Sequence, residues 1–151
     1  MITLANLITD WATNDGATEP RISLTDEGRC AQYSFSAATL GEDKINCWFD
    51  ADEESRMLFL SMYAPDVIPA EQVDAVGTVM TLINDMQLRV GNFELSSSNN
   101  MVRFRIGVPV SEDHSAIGLL SQLFENGMRA YEMALLPIRK VAFGGYTVGA
   151  D

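Results

Sequence analysis

The sequence predicts one α+β domain spanning residues 1–151, with an antiparallel sheet of about five strands and the element order α-β-β-β-α-β-β-α. Three observations carry this reading. The chain has 151 residues, the length of one domain with one core. Its apolar residues recur with period 3.6 in three stretches and with period 2 between them. The links between the period-2 stretches are too short for parallel crossovers, which leaves antiparallel pairing. A hydrophobic content of 47% with 21% charged residues is that of an ordinary folded domain and excludes wholesale disorder or a fibrous architecture.

Leu4, Leu7, Ile8 and Trp11 fall at i, i+3, i+4 and i+7, so a first helix is expected over residues 3–13, with Thr3 as its cap. Asn14, Asp15 and Gly16 end it, and a short strand fits residues 22–24. Three strand-like runs follow. Ala31, Tyr33 and Phe35 alternate with polar neighbours; Ile45, Cys47 and Phe49 alternate around Asn46 and Trp48; residues 57–63 are almost continuously apolar. Turns at Gly41 and at residues 50–55 join them into a meander.

Pro65 and Pro69 break the strand pattern, and Pro69 suits the first turn of a helix over residues 69–90, with Glu71 near its positive end. Val73, Val76, Met80 and Ile83, with Val79, Leu82 and Met86 one step on, make a stripe wide enough to be buried on more than one side. Gly91 should close this helix as a left-handed residue. Residues 92–95 and 102–110 read as a hairpin across residues 96–100. The last helix is expected over 112–143, opened by Glu112 and Asp113 and kinked or split by Pro137, with Gly144 and Gly145 ending it.

Twenty-one acidic against ten basic residues give a formal charge of −11, which repels nucleic acid and anionic membranes. The excess lies in residues 1–75, with 14 acids and 4 bases. Such a half is either a solvated face or a docking surface for a basic partner. No run reaches the roughly 18 apolar residues of a membrane span, and the basic start of a signal peptide is missing, so a cytoplasmic protein is expected. Cys30 and Cys47 match no zinc spacing. In a hairpin turning near Gly41, Cys30 faces Asp52, which puts the thiols about five residues apart, roughly 16 Å, beyond disulfide reach.

The motifs that carry chemistry are sparse. His114 is the single histidine and has no neighbouring nucleophile. Asp50, Asp52 and Glu54 share the 1, 3, 5 spacing of a calcium loop, but Ser55 replaces its glycine and Ser61 its closing glutamate. Gly144, Gly145 and Gly149 do not link a strand to a helix, so no phosphate cradle is expected, and no metal or organic cofactor is called for. Eight methionines suit either a core or an adaptable protein-binding surface.

The stretch from Pro69 through Leu82, Ile83 and Asn84, then Gly91, Asn92, Phe93, Glu94 and Leu95, then Val102, Arg103, Phe104 and Arg105, resembles the YbjN family of bacterial sensory-transduction regulators. The closing segment with Pro137, Ile138, Val141 and Gly144 is also similar. Gln87 stands where members often carry a second asparagine. The resemblance implies the fold of type III secretion chaperones and a non-enzymatic protein acting through protein contacts, commonly as a homodimer, in a chaperone-like or adaptor role. Asn84 itself is read as a polar side chain satisfying backbone groups where the helix meets the hairpin. Candidate contact residues are Met128, Tyr131 and Met133 on the last helix and the acids Asp50, Asp52, Glu53 and Glu54. Two other classes stay open: a ligand-sensing module with an apolar cavity between sheet and helices, and a small-molecule enzyme using a carboxylate such as Asp50 or Glu94.

Overall fold

In a computed structural model of the protein the described residues are 3–14, 21–25, 30–38, 44–88, 90–110 and 117–144. They form helix α1 (Leu4–Asn14), strands β1 (Arg21–Thr25), β2 (Cys30–Ala38), β3 (Lys44–Asp52) and β4 (Met57–Val67), a 3₁₀ turn at Ala70–Gln72, helix α2 (Val73–Met86), strands β5 (Asn92–Leu95) and β6 (Met101–Pro109), and helix α3 (Ile117–Phe143). The fold is α+β, with one antiparallel sheet in the order β1-β2-β3-β4-β6-β5. Six strands stand where about five were expected, because the short run at residues 22–24 pairs along its length with β2. The anticipated register of the next hairpin holds: Cys30 lies opposite Asp52, and Cys47 opposite Phe35.

Alternation decides which face of the sheet the helices cover. Ile45, Cys47, Phe49 and Ala51 on β3, Leu58, Leu60, Met62 and Ala64 on β4, and Val102, Phe104 and Ile106 on β6 are buried. Against this face pack α1 and α3, while α2 sits over β5 and against α3. Thr3 caps α1 as expected, its hydroxyl accepting a hydrogen bond from the Asn6 amide at 3.0 Å. Trp11 anchors the helix: its ring meets Phe49 edge-on at 5.0 Å and its indole N–H donates to Ser121 Oγ at 3.0 Å.

Three expectations are corrected by tertiary context. Pro65 does not end its strand; β4 runs on to Val67, past a register shift between Tyr63 and Val67, and pairing with β3 has already stopped at Tyr63. A proline that donates no ladder bond is tolerated at such an irregularity. Helix α2 ends at Met86, four residues early, with the Gln87 and Leu88 amides both bonding to the Ile83 carbonyl. Gly91 therefore caps no helix. Its φ of 71° turns the chain into β5, and a Cβ there would meet the Phe104 ring at 2.4 Å. Helix α3 passes through Pro137 unsplit. Pro137 lies on the exposed side one turn after Met133, whose carbonyl loses its helical donor on the side that water reaches. His114, Glu112, Asp113, Gly145 and Gly149 lie outside the described residues.

Tyr131 on α3 ties helix to sheet. Its hydroxyl lies 2.6 Å from the Met62 carbonyl, to which it donates, and 3.1 Å from that of Val102, the two carbonyls flanking the register shift between β4 and β6. Burial pushes the phenol far above its ordinary pKa, so it stays a proton donor throughout the ordinary pH range. Tyr131→Phe leaves the Met62 carbonyl without this donor in the core. It should cost on the order of 1–3 kcal/mol, read as a lower urea midpoint at unchanged denaturant slope. An unchanged midpoint would show that the hydroxyl contributes nothing.

Candidate functional site

Helix α2 carries two apolar stripes, and the second is used inside the molecule only in part. Val76, Met80 and Ile83 are buried. Of Ala75, Val79, Leu82 and Met86, one step round the helix at i, i+4, i+7 and i+11, the first two are partly buried against the core and the last two lead outward, Leu82 47% and Met86 77% exposed. The expectation that this helix is buried on more than one side holds at Val79 and is corrected at Leu82 and Met86: among the described residues the sheet ends at β5, and no further strand lies beneath them.

The rotation of α2 is held by Asn84. Its side-chain amide accepts from the Phe93 N–H at 2.7 Å and donates to the Phe93 carbonyl at 2.8 Å. One side chain thus stands in for a neighbouring strand at the sheet edge and blocks strand addition at Phe93. This is the backbone-satisfying role read from the sequence. Between α2 and β5 runs a groove of about 730 Å³, lined by Val73, Met80, Leu82, Phe93 and Leu95 with the carboxylates Asp74 and Glu94.

The residues singled out from sequence are dispersed. Tyr131 is fully buried and offers no contact surface, because its ring meets Phe93 and its hydroxyl serves the sheet. Met128 is partly buried against the core. Met133 does face outward, on the same side of α3 as Leu136 and Phe143. At the β3–β4 turn, Asp52 Oδ1 accepts from the Glu54 amide at 3.0 Å, which shapes the turn. Glu53 accepts from the Leu4 amide and so closes the start of α1. Glu54 is exposed, and Asp50 lies apart, on the sheet face without helices. Glu94, the other candidate carboxylate, is ion-paired with Arg103 at 2.7 Å. The Cys47 thiol is buried and its pKa is pushed up to about 12 by desolvation, an inert core thiol.

Sequence reasoning missed the uncovered sheet face, where Trp48, Phe59 and Tyr63 gather beside Arg103 and Arg105. The signal was present: residues 57–63 read as continuously apolar because their solvent-facing positions also carry aromatic rings. Among the described residues no three His, Cys, Asp or Glu side chains are grouped to hold a metal ion, and no helix is long and apolar enough to cross a membrane.

The chain is similar in fold to a chain in the crystal structure of the ExsC–ExsE complex, with a TM-score of 0.56 over 95% of this chain and 100% of that one, at 15% sequence identity. At that identity the likeness shows the fold, and it bears out the expected type III secretion chaperone-like architecture. No family model and no curated protein matches the chain, so the YbjN resemblance rests on the motifs quoted above.

The clamp is testable on its own. Asn84→Ala should lower stability by about 1–3 kcal/mol and, by freeing the edge, promote concentration-dependent association of strands. Asn84→Asp, which accepts but cannot donate, should fall between. Equal urea midpoints for all three proteins would contradict the role assigned to the amide.

Proposed function

We propose that this protein is a non-enzymatic binding module with a type III secretion chaperone-like fold, which takes an extended segment of a protein client in the α2–β5 groove and acts as a homodimer in the cytoplasm. One observation carries the reading: the groove joins an apolar floor to the Asp74 carboxylate, beside the exposed Leu82 and Met86 of α2. Apolar side chains of an extended segment fill such a floor, and a basic residue in the same segment answers Asp74. Glu71 in the preceding 3₁₀ turn and Asp74 and Asp85 on α2 are exposed and extend the negative field around the helix. The known complex of the similar structure is also one between two proteins, which supports a protein partner here. A sensory-transduction role, as the YbjN resemblance suggests, would place that client in a regulatory pathway.

Dimerisation is assigned to the outward side of α3, where Met133, Leu136 and Phe143 are exposed together with an apolar area that an isolated chain would leave in water. Light scattering at micromolar concentration should give about twice 16.6 kDa, falling to one chain mass in Leu136→Asp. For the groove, a client captured by the wild-type protein should escape Leu82→Asp. Its association should slow as salt rises from about 50 to 500 mM, and Asp74→Asn should reproduce part of that slowing at low salt. Salt-independent association would remove the electrostatic part. Turnover of a defined small molecule, abolished by one carboxylate substitution, would overturn the whole reading.

A further inference from the structure

The sheet face opposite the helices carries a second concavity, of about 510 Å³, and its polar groups are unbalanced. Register builds it in rows across three strands: Asn46–Tyr63–Arg103, Trp48–Ser61–Arg105 and Asp50–Phe59–Gly107. Gly107 is what lets the Phe59 ring lie flat across β6, since a Cβ there would meet the ring at 2.4 Å. The Arg105 guanidinium then rests 5.1 Å from the Phe59 centroid. Trp48 meets Tyr63 edge-on at 5.2 Å, and Asn99 and Met101 close one end.

Donors exceed acceptors in this concavity. Ser61 is only 8% exposed, and its hydroxyl has no hydrogen-bond partner among the described residues. Its register neighbour Arg105 makes no ion pair among them. The Tyr63 hydroxyl accepts from Arg103 at 3.1 Å, and among the described residues neither its own proton nor the Trp48 indole N–H has an acceptor. Arg103 is already balanced by Glu94. Among the described residues the net offer is one guanidinium without an ion pair, three neutral donors and the rings of Trp48 and Tyr63, with Phe59 supporting Arg105 and Asp50 also in the lining.

We propose that this concavity is a binding site for a small aromatic monocarboxylate, whose carboxylate accepts from Ser61 Oγ and the Arg105 guanidinium while its ring lies against Trp48 and Tyr63. A nearly buried hydroxyl opposite a guanidinium is a two-point receptor for a carboxylate. Asp50 selects a single negative charge over a phosphate dianion. A small ligand is favoured over an extended peptide because the strands here already spend their backbone groups on each other, leaving none for a peptide main chain. The volume is also that of a small-molecule site.

The chain has two tryptophans, so the Trp48 indole N–H is identified as the resonance lost in Trp48→Phe. Titration of the intact protein with indole-3-acetate should shift that resonance saturably, with half-saturation below about 1 mM, and leave the resonance of buried Trp11 in place. Neutral 3-methylindole, Arg105→Gln and Ser61→Ala should each weaken binding about tenfold, the loss of one charge-assisted hydrogen bond. Arg105 is exposed, so its substitution leaves the fold intact and keeps the test valid if Ser61→Ala is unstable. The proposal is overturned by absence of saturation at about 10 mM, by unchanged affinity in Arg105→Gln, or by a blocked glutamate-tryptophan peptide binding more tightly than the free acid.

Discussion

Phe93 is the point at which the molecule is held together. Its backbone N–H and carbonyl are both bonded to the Asn84 amide, so α2 is fixed to the sheet edge. Its ring meets Tyr131 edge-on at 5.2 Å and Phe104 at 5.3 Å, so the same residue joins α3 and β6. Tyr131 in turn bonds the carbonyls beside the β4–β6 register shift. Helices two and three, the edge strand and the irregular end of the central ladder therefore share one buried cluster. The rotation of α2 about its axis follows from it, and with that rotation the identity of the residues left outside.

A single sheet covered on one face leaves two kinds of surface. On the helix side, apolar residues in excess of what the core can use emerge as the stripes of α2 and α3. On the open side, side chains stand on strands whose backbones are fully engaged, and interactions there must come from rings, hydroxyls and guanidinium groups. The two surfaces differ in chemistry for that reason. One suits extended polypeptide with apolar anchors; the other suits a compact group that answers donors.

Much of the architecture was legible because it depends on local pattern. The period-2 runs located β2 to β6, and the expectation of a hairpin between β2 and β3 placed Cys30 opposite Asp52, as the pairing has it. Thr3 was identified as a cap and Asn84 as a backbone partner from residue type and position. Burial was less legible. The second stripe of α2 has the same composition as the first, and only the end of the sheet at β5 distinguishes them. Tyr131 looked like contact surface because nothing in sequence reveals a strand irregularity 69 residues away that needs its hydroxyl. Glu53 read as part of an acidic docking cluster, whereas its partner is the first turn of α1. The open-face cluster depends on three strands aligning at once, a property no single segment carries.

The central claim, that apolar residues outside the core exist for protein contacts, is tested most directly on the methionine methyl groups. With a soluble paramagnetic agent, Met62 and Met80 should stay unrelaxed at every protein concentration, being buried in the core. Met86 and Met133 should relax strongly in dilute protein, and Met133 alone should become shielded as the concentration rises, Met86 remaining open until a client fills the groove. Equal, concentration-independent relaxation of Met86 and Met133, in the presence of a bound client as well as without it, would contradict the account.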